Sequence, residues 1–298
     1  MAGVLPVRPE RRSCRQVLLT NVMLLRYSED LVPVSLILFV FSLDVAVYAM
    51  ADAWWVAPSW FAAMLIPKGW ICAWNHHHQH LPMFRHWALN RPLELILGLQ
   101  TGVTSHTWYL HHVVGHHRNY LDGGAEDEAT WLLPSGKPMT SLGFAFRTAA
   151  LSYPIALRNG LSGHRRALRV FVTMFLVTLA CVGAALWLSP YNAMFVFVGP
   201  MLTSLLLTAW ASYFHHAGLD AAEHGEASYN ILHRGYNLMT GNLGYHTAHH
   251  TAPGLHWSKL PALHAKIASS IPDDCYRRPG IPFEWIRREE QILRPDEA

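Results

Sequence analysis

Four apolar stretches, each about long enough to cross a lipid bilayer, constrain the fold of this chain most strongly. They cover residues 31–50, 55–74, 168–188 and 192–214, and a helix needs about 20 mostly apolar residues to cross the hydrocarbon core. The connections inside each pair, 51–54 and 189–191, are very short. The sequence therefore predicts an all-α integral membrane protein with four transmembrane helices arranged as two hairpins.

Charged residues are scarce and unevenly placed. They make up 14% of the 298 residues, against about 25% in an ordinary globular chain, which argues against a typical soluble enzyme. At 51% hydrophobic, the chain is also too apolar for a disordered protein. Nearly all Lys and Arg residues lie before the first stretch, between the second and third, or after the fourth, and neither short connection carries one. The positive-inside rule then predicts cytoplasmic N- and C-termini and a cytoplasmic helical cap formed by 75–167 and 215–298.

The remaining composition narrows the class of protein further. The four cysteines are far apart and form no CxxC pair, which argues against a disulfide framework, a zinc ribbon or an iron–sulfur cluster. Basic residues are not interleaved with aromatics, so no nucleic-acid partner is expected. Without repeats or linkers, 1–298 is predicted to be a single domain. Arg outnumbers Lys 19 to 4, which favours the inner membrane of a bacterium.

Asp44 and Lys68 fall in the interior of predicted spans, where charge is costly. Lys68 lies about 12 Å along a helix from His76, so its ammonium is expected to extend to the cytoplasmic boundary. Asp44 lies nearer the middle of its span, where a buried hydrogen bond is the simplest explanation.

Histidine is abundant, with 20 residues, and it is clustered. The three clusters fall in the predicted cap, and a further pair, His215–His216, ends the fourth span. Residues four apart share one face of a helix and can bind the same metal centre. The clusters contain His76 and His80; His112, His116 and His117; and His246, His249 and His250.

The clusters predict a metal site, whereas a lone histidine is more often a structural hydrogen-bonding residue. That second interpretation applies to His86, His106, His164, His224, His233, His256 and His264. Imidazole suits zinc, copper, iron and nickel alike, but a structural zinc takes four ligands, and nine candidates suggest two metals with four or five each. Because the spans contain almost no metal-binding residues, a reaction site at the membrane surface is favoured over a translocation path.

In order and spacing, the clusters resemble the three histidine boxes of the membrane fatty-acid desaturase and hydroxylase superfamily. His76 and His80 match HxxxH, His112 to His117 match HxxxHH, and His246 to His250 match HxxHH. The segment SYFHHAGL at 212–219 resembles the family's isolated-histidine motif, in a register that favours His216 over His215.

The resemblance implies a non-haem di-iron centre that activates O2 to take hydrogen from an unactivated carbon of a lipid or fatty-acyl substrate entering from the bilayer. The nine histidines would be the metal ligands. It also implies residues that orient the ligands: Asp127, ten residues past the second box, with Asp220, Asn242 and Ser212 as further candidates. Some relatives have Asn four residues before the isolated histidine, where this chain has Ser212.

Three functions remain open at this stage. The first is a fatty-acyl desaturase, and the second is a hydroxylase or monooxygenase of the same superfamily acting on a lipid, an alkane or a carotenoid. The third is a zinc-handling membrane protein without redox activity. A desaturase or a hydroxylase would need a separate electron donor of the ferredoxin, rubredoxin or cytochrome b5 type. The chain lacks the cysteine ligands of a ferredoxin or rubredoxin and the His-Pro-Gly-Gly segment of a cytochrome b5.

Overall fold

A computed structural model describes residues 24–119, 121, 130–219 and 224–279, and within these ranges the chain is helical with a few isolated bridges and no strand. Nine main helices lie in this part of the chain. They are α1 (Leu31–Met50), α2 (Val56–His80), α3 (Trp87–Thr101), α4 (Ser141–Leu161), α5 (Arg165–Leu188), α6 (Pro190–His216), α7 (Arg234–Thr240), α8 (His246–Thr251) and α9 (Leu260–Ile267). A π-helix, Tyr109–His116, lies between α3 and α4, and α6 contains a π-helical segment, Met194–Val198.

Three of the described helices are long and apolar enough to cross a membrane: Ser28–Met50, Arg165–Leu188 and Pro190–His216. They contain the predicted spans 31–50, 168–188 and 192–214. Large apolar side chains such as Phe39 and Leu176 are exposed on them, as expected of helices that face lipid.

The second predicted span, 55–74, forms most of α2 but does not count among these three helices. This helix carries Lys68 and continues through the first histidine cluster to His80. Its last turns are buried, because α3, α6 and the π-helix pack around them.

Lys68 does not extend to the membrane boundary, so that prediction is wrong. Its ammonium lies 2.9 Å from the Asp44 carboxylate and 3.2 Å from the carbonyl oxygen of Val196, and both charged side chains are fully buried. Trp60 also donates a hydrogen bond of 2.8 Å to Asp44. Because a carboxylate lies within reach, the ammonium pairs inside the protein, and the pair ties α1 and α2 to the π-helical segment of α6.

A buried apolar cluster joins the first three helices and positions the part of α2 that carries the first histidine cluster. Ile37 of α1, Ile71 and Trp74 of α2, and Leu93 and Leu97 of α3 pack against one another. Because Trp74 immediately precedes the first histidine cluster, this packing fixes the position of the last turns of α2.

Chain reversal after α3 depends on a glycine. Gly102 ends the helix in the left-handed region, with φ at 69°, a conformation that other residues adopt at a cost. A Cβ atom at this position would also collide with the carbonyl group of Met201 in α6. The chain can therefore turn closely against α6 and lead into the π-helix.

Candidate metal centre

The last turns of α2 bring the first histidine cluster into the protein interior. His76 and His80 lie one turn apart on this helix, and their ring centroids are 4.6 Å apart. The histidines between them point elsewhere: His77 Nε2 lies 3.0 Å from the carbonyl oxygen of Thr240, and His78 Nε2 lies 3.4 Å from a Glu94 carboxylate oxygen. Only two of the four histidines in this segment therefore face the candidate site.

The second cluster lies on the π-helix, which Gln79 fastens to α2. The side-chain oxygen of Gln79 accepts hydrogen bonds from the backbone N–H groups of Trp108, at 2.9 Å, and Tyr109, at 3.1 Å. The first N–H groups of a helix have no hydrogen-bond partner within that helix. Gln79, which lies in the first histidine cluster, therefore supplies the acceptor for the start of the π-helix that carries the second cluster.

The third cluster occupies the short helix α8. Gly241 and Asn242 before it are left-handed, with φ at 64° and 60°. Two buried side chains then hold the turn: Asn237 accepts a hydrogen bond from the Gly244 N–H, and Asn230 accepts one from the Thr247 N–H. These contacts fix the orientation of a helix that is too short to be stable alone.

The end of α6 contributes one histidine of its pair. His216 Nε2 lies 3.0 Å from His246 Nε2, whereas both nitrogens of His215 contact other groups, the carbonyl oxygen of Tyr229 at 3.1 Å and the hydroxyl of Tyr236 at 2.9 Å. The structure thus places His216, the residue favoured by the sequence, among the clustered histidines. His215 instead stacks on His246, with ring centroids 4.1 Å apart.

These elements bring together a first group of histidines drawn from all three clusters. One nitrogen from each of its four members lies within 4.8 Å of the others, and the members are His76, His80, His112 and His249. His117 adjoins the group, because its Nε2 lies 3.0 Å from His112 Nε2 and 3.1 Å from His249 Nε2.

A second group lies directly beside the first. His116, His216 and His250 meet the same distance criterion, and His246 Nε2 lies 3.0 Å from His216 Nε2 and 3.2 Å from His250 Nε2. The two groups touch through His117 and His250, with ring centroids 4.3 Å apart. All nine histidines proposed from the sequence therefore lie in one double cluster.

The structure separates residues that helical spacing would assign to one metal. His112 belongs to the first group and His116 to the second, although they are four apart. Their rings lie nearly parallel, with centroids 5.0 Å apart, but His112 contacts His76 of the first group, whereas His116 contacts His216 of the second. The π-helix thus lies between the two groups and supplies both.

Burial keeps several of these imidazoles neutral. The pKa values of His112, His117, His246, His249 and His250 lie well below the ordinary 6.5, first because the rings are buried and then because other histidines surround them. A neutral imidazole is the form that binds metals. These five residues are therefore ready to act as ligands at neutral pH.

The donor set fits two transition-metal ions. Nε2 atoms of neighbouring rings approach to between 3.0 and 3.2 Å, which brings lone pairs together unless a proton or a cation lies between them. His80 Nε2 is buried without a hydrogen-bond partner among the described residues. Within the described part of the chain, both groups consist of histidine alone, a set of ligands that suits iron, zinc, copper or nickel.

Of the four residues expected to orient the ligands, the structure describes two, Ser212 and Asn242. Asp127 and Asp220 lie outside the described residues. The Ser212 hydroxyl donates to the carbonyl oxygen of Ala209 in its own helix, and the Asn242 amide donates to the carbonyl oxygen of Trp257. At His216 a backbone carbonyl group orients the ring instead. Its Nδ1 lies 3.1 Å from the carbonyl oxygen of Ala227, and Nε2 therefore faces the cluster.

Sequence reasoning missed several polar residues around the cluster. Gln79 lies inside the first box and was a detectable candidate, whereas a backbone carbonyl such as that of Ala227 leaves no signal in a sequence. His256, interpreted from the sequence as a lone structural histidine, is 3% exposed and lies 3.0 Å from the buried carboxylate of Asp30.

Comparison with known proteins agrees with the arrangement of the boxes. No curated protein and no solved structure matches the chain. The sequence does match the fatty acid desaturase family over residues 52–282, a range that contains all nine clustered histidines. The predicted resemblance is thus confirmed, and the chain belongs to the fatty acid desaturase family, within the membrane fatty-acid desaturase and hydroxylase superfamily.

Proposed function

We propose that the protein is an O2-dependent membrane desaturase of fatty-acyl chains with two iron ions bound by its nine clustered histidines. The observation that carries this proposal is the pair of adjacent, buried, all-histidine groups in a chain of the fatty acid desaturase family. Membership of that family supports an oxidoreductase acting on lipids. The desaturation of an acyl chain and the identity of the metal are the parts that we propose.

The two groups would divide the metal ions between them. The first would be held by five histidines and the second by four: His76, His80, His112, His117 and His249, and then His116, His216, His246 and His250. Bound iron would supply the oxidising power needed to remove hydrogen from an aliphatic C–H bond, which no side-chain acid or base provides. The protein would orient the imidazoles toward the ions, and burial keeps several of them neutral.

The substrate would reach the site from the bilayer. The three apolar helices support insertion in a membrane, and we propose α2 as a fourth span that pairs with α1 in a hairpin. Its histidine-bearing end would then lie at the cytoplasmic boundary, with both chain termini on the same side of what we propose is a bacterial inner membrane. An acyl chain between the helices could extend one carbon toward the histidines while its carboxyl end stays near the headgroups.

Electrons would come from a separate donor protein of the ferredoxin, rubredoxin or cytochrome b5 type. The two groups contain histidine and no cysteine, so they offer no ligands for an iron–sulfur cluster. Substrate oxidation by O2 consumes two electrons in addition to those taken from the carbon chain, and a soluble one-electron donor can deliver them in turn.

Expression in a host that lacks the activity, followed by mass spectrometry of its lipids, tests this function. We expect acyl chains that have lost two hydrogens, and no such products from a His80→Ala variant. Incorporation of one atom from 18O2 into the product would instead identify a hydroxylase of the same superfamily. A chain that purifies with zinc and alters no lipid after iron reconstitution would contradict both oxidase functions.

A further inference from the structure

A line of polar side chains runs from the protein surface to a cavity beside the first group of histidines. The cavity is lined by Asp30, His77, His80, Met83 and Trp257, among others. Its polar wall gives ordered water several hydrogen-bonding partners. His80 is a proposed metal ligand, so the cavity adjoins the candidate metal centre.

The line begins at Glu29 and Ser258. The Glu29 side chain is 38% exposed, and Ser258 is half-buried. The Ser258 hydroxyl lies 3.4 Å from a Glu29 carboxylate oxygen and 2.8 Å from His256 Nδ1. A proton from solvent can therefore pass from Glu29 to the Ser258 hydroxyl and from there to the imidazole of His256.

His256 then connects this surface to the cavity. Its Nε2 lies 3.0 Å from a carboxylate oxygen of Asp30, which is only 2% exposed and lines the cavity. Tyr27 stacks on the imidazole at a centroid distance of 3.9 Å, and Trp257 donates a 2.9 Å hydrogen bond to the same carboxylate oxygen. His256 thus contacts Ser258 through Nδ1 and Asp30 through Nε2, so one imidazole links the two residues.

The geometry points to a proton relay, Ser258–His256–Asp30, that supplies the oxygen-reducing reaction. This inference rests on the proposed function and deepens it. A proton arriving at His256 Nδ1 lets the ring release its Nε2 proton to the Asp30 carboxylate, which passes it to water in the cavity beside His80. Imidazole suits this role because it accepts at one nitrogen while it donates from the other.

The overall reaction requires such a supply. Desaturation takes two hydrogens from the substrate and combines them with one O2, two electrons from the donor protein and two protons to give two waters. Hydroxylation takes up the same two electrons and two protons, places one oxygen in the substrate and releases one water. In both cases two protons must enter a buried site for each turnover, so a route for protons is needed whichever product forms.

Proton uptake without substrate provides the test. Iron-loaded protein in detergent is reduced with dithionite, freed of excess reductant and mixed with O2 in a stopped-flow instrument that contains a pH-indicator dye. We expect wild-type protein to take up protons rapidly, and His256→Ala and Asp30→Asn to be slowed roughly 100-fold, as for loss of a positioned proton-transfer group. Added imidazole should restore His256→Ala and leave Asp30→Asn slow.

A matched control is His264→Ala, which removes another buried histidine of the same region, one that contacts Tyr276 outside the relay. It should take up protons at the wild-type rate with or without imidazole. A second readout uses metal-free protein, where the infrared carboxylate band assigned to Asp30 should shift in His256→Gln because its hydrogen-bond partner has changed.

The outcomes separate the relay from the function itself. Wild-type protein that takes up no protons when mixed with O2 would contradict the proposed function. Rapid uptake by wild type together with equally rapid uptake by fully loaded His256→Ala, or a slow variant that imidazole fails to restore, would overturn the relay alone. If both His256→Ala and His256→Gln lose their metal, His256 has a structural role and the relay is wrong.

Discussion

The Lys68 ammonium and the Asp44 carboxylate lie 2.9 Å apart with both side chains fully buried. They join α1 to α2, and Val196 and Trp60 complete their hydrogen bonding. A charge in this position is tolerated because its partner and the surrounding polar groups replace the water it has lost. The pair therefore fixes how the first two helices meet the rest of the bundle.

Removing one charge of this pair should destabilise the protein more than removing both charges. Lys68→Met leaves a buried carboxylate without its cation, and such changes cost about 3–5 kcal/mol. The double variant Lys68→Met, Asp44→Leu removes both charges and should recover much of that loss. Thermal unfolding in detergent, followed by tryptophan fluorescence, would show this order, and a double variant less stable than Lys68→Met would contradict it.

Replacing Gln79 should disturb the second histidine cluster without removing any ligand. Gln79→Leu leaves the N–H groups of Trp108 and Tyr109 without their acceptor, at a cost of about 1–3 kcal/mol for an unsatisfied buried donor. We expect weaker metal binding, measured by cobalt(II) titration. Gln79→Glu keeps an acceptor oxygen and should bind cobalt(II) more tightly than the leucine variant; equal affinities would show that the contact has no part in positioning.

Single histidine variants should reveal two separable metal positions. His80→Ala belongs to the first group and His250→Ala to the second, so each should lower the metal content from about two ions per chain toward one. Absorption spectra of the cobalt-loaded variants should differ, because each retains a different set of ligands. His86→Ala, which alters an exposed residue at the start of α3, should keep both ions. Identical spectra for the two ligand variants would contradict the division into groups.

Metal affinity should change little between about pH 8 and pH 6. Protons compete with metals for imidazole nitrogens, and an exposed histidine with a pKa near 6.5 loses affinity as the pH falls through that value. The pKa values of His112, His249 and His250 are lowered well below 6.5, chiefly by burial, so these rings remain unprotonated over this range. Cobalt(II) titrations at several pH values check this, with a surface-histidine peptide as control. Affinity that falls steeply from pH 7 downward would show that the ligands titrate normally.

The sequence predicts which histidines form the candidate metal site better than it predicts how they divide into two groups. Eight of the nine histidines lie in three clusters with short-range helical spacing, because residues three or four apart on a helix share a face, whereas His216 follows from the family resemblance. The assignment of His112 and His116 to different groups depends on which rings approach from α2, α6 and α8. That approach is a tertiary relationship which spacing cannot express.

Polar contacts between distant residues were beyond prediction for the same reason. Asp44 and Lys68 each stood out as a costly charge, but their pairing depends on how α1 and α2 pack. Asp30 and His256 are 226 positions apart, and neither belongs to a recognisable motif. The fold itself was easier, since the hydropathy of 31–50, 168–188 and 192–214 already indicates helices of membrane-spanning length.

Metal analysis of the purified protein, combined with Mössbauer spectroscopy after expression with 57Fe, tests the central claim most directly. A site built from two adjacent histidine groups should hold about two iron ions per chain, with spectra of two histidine-ligated irons that change when the reduced protein meets O2. About two zinc ions per chain, together with no O2 consumption after reconstitution with iron, would contradict the account.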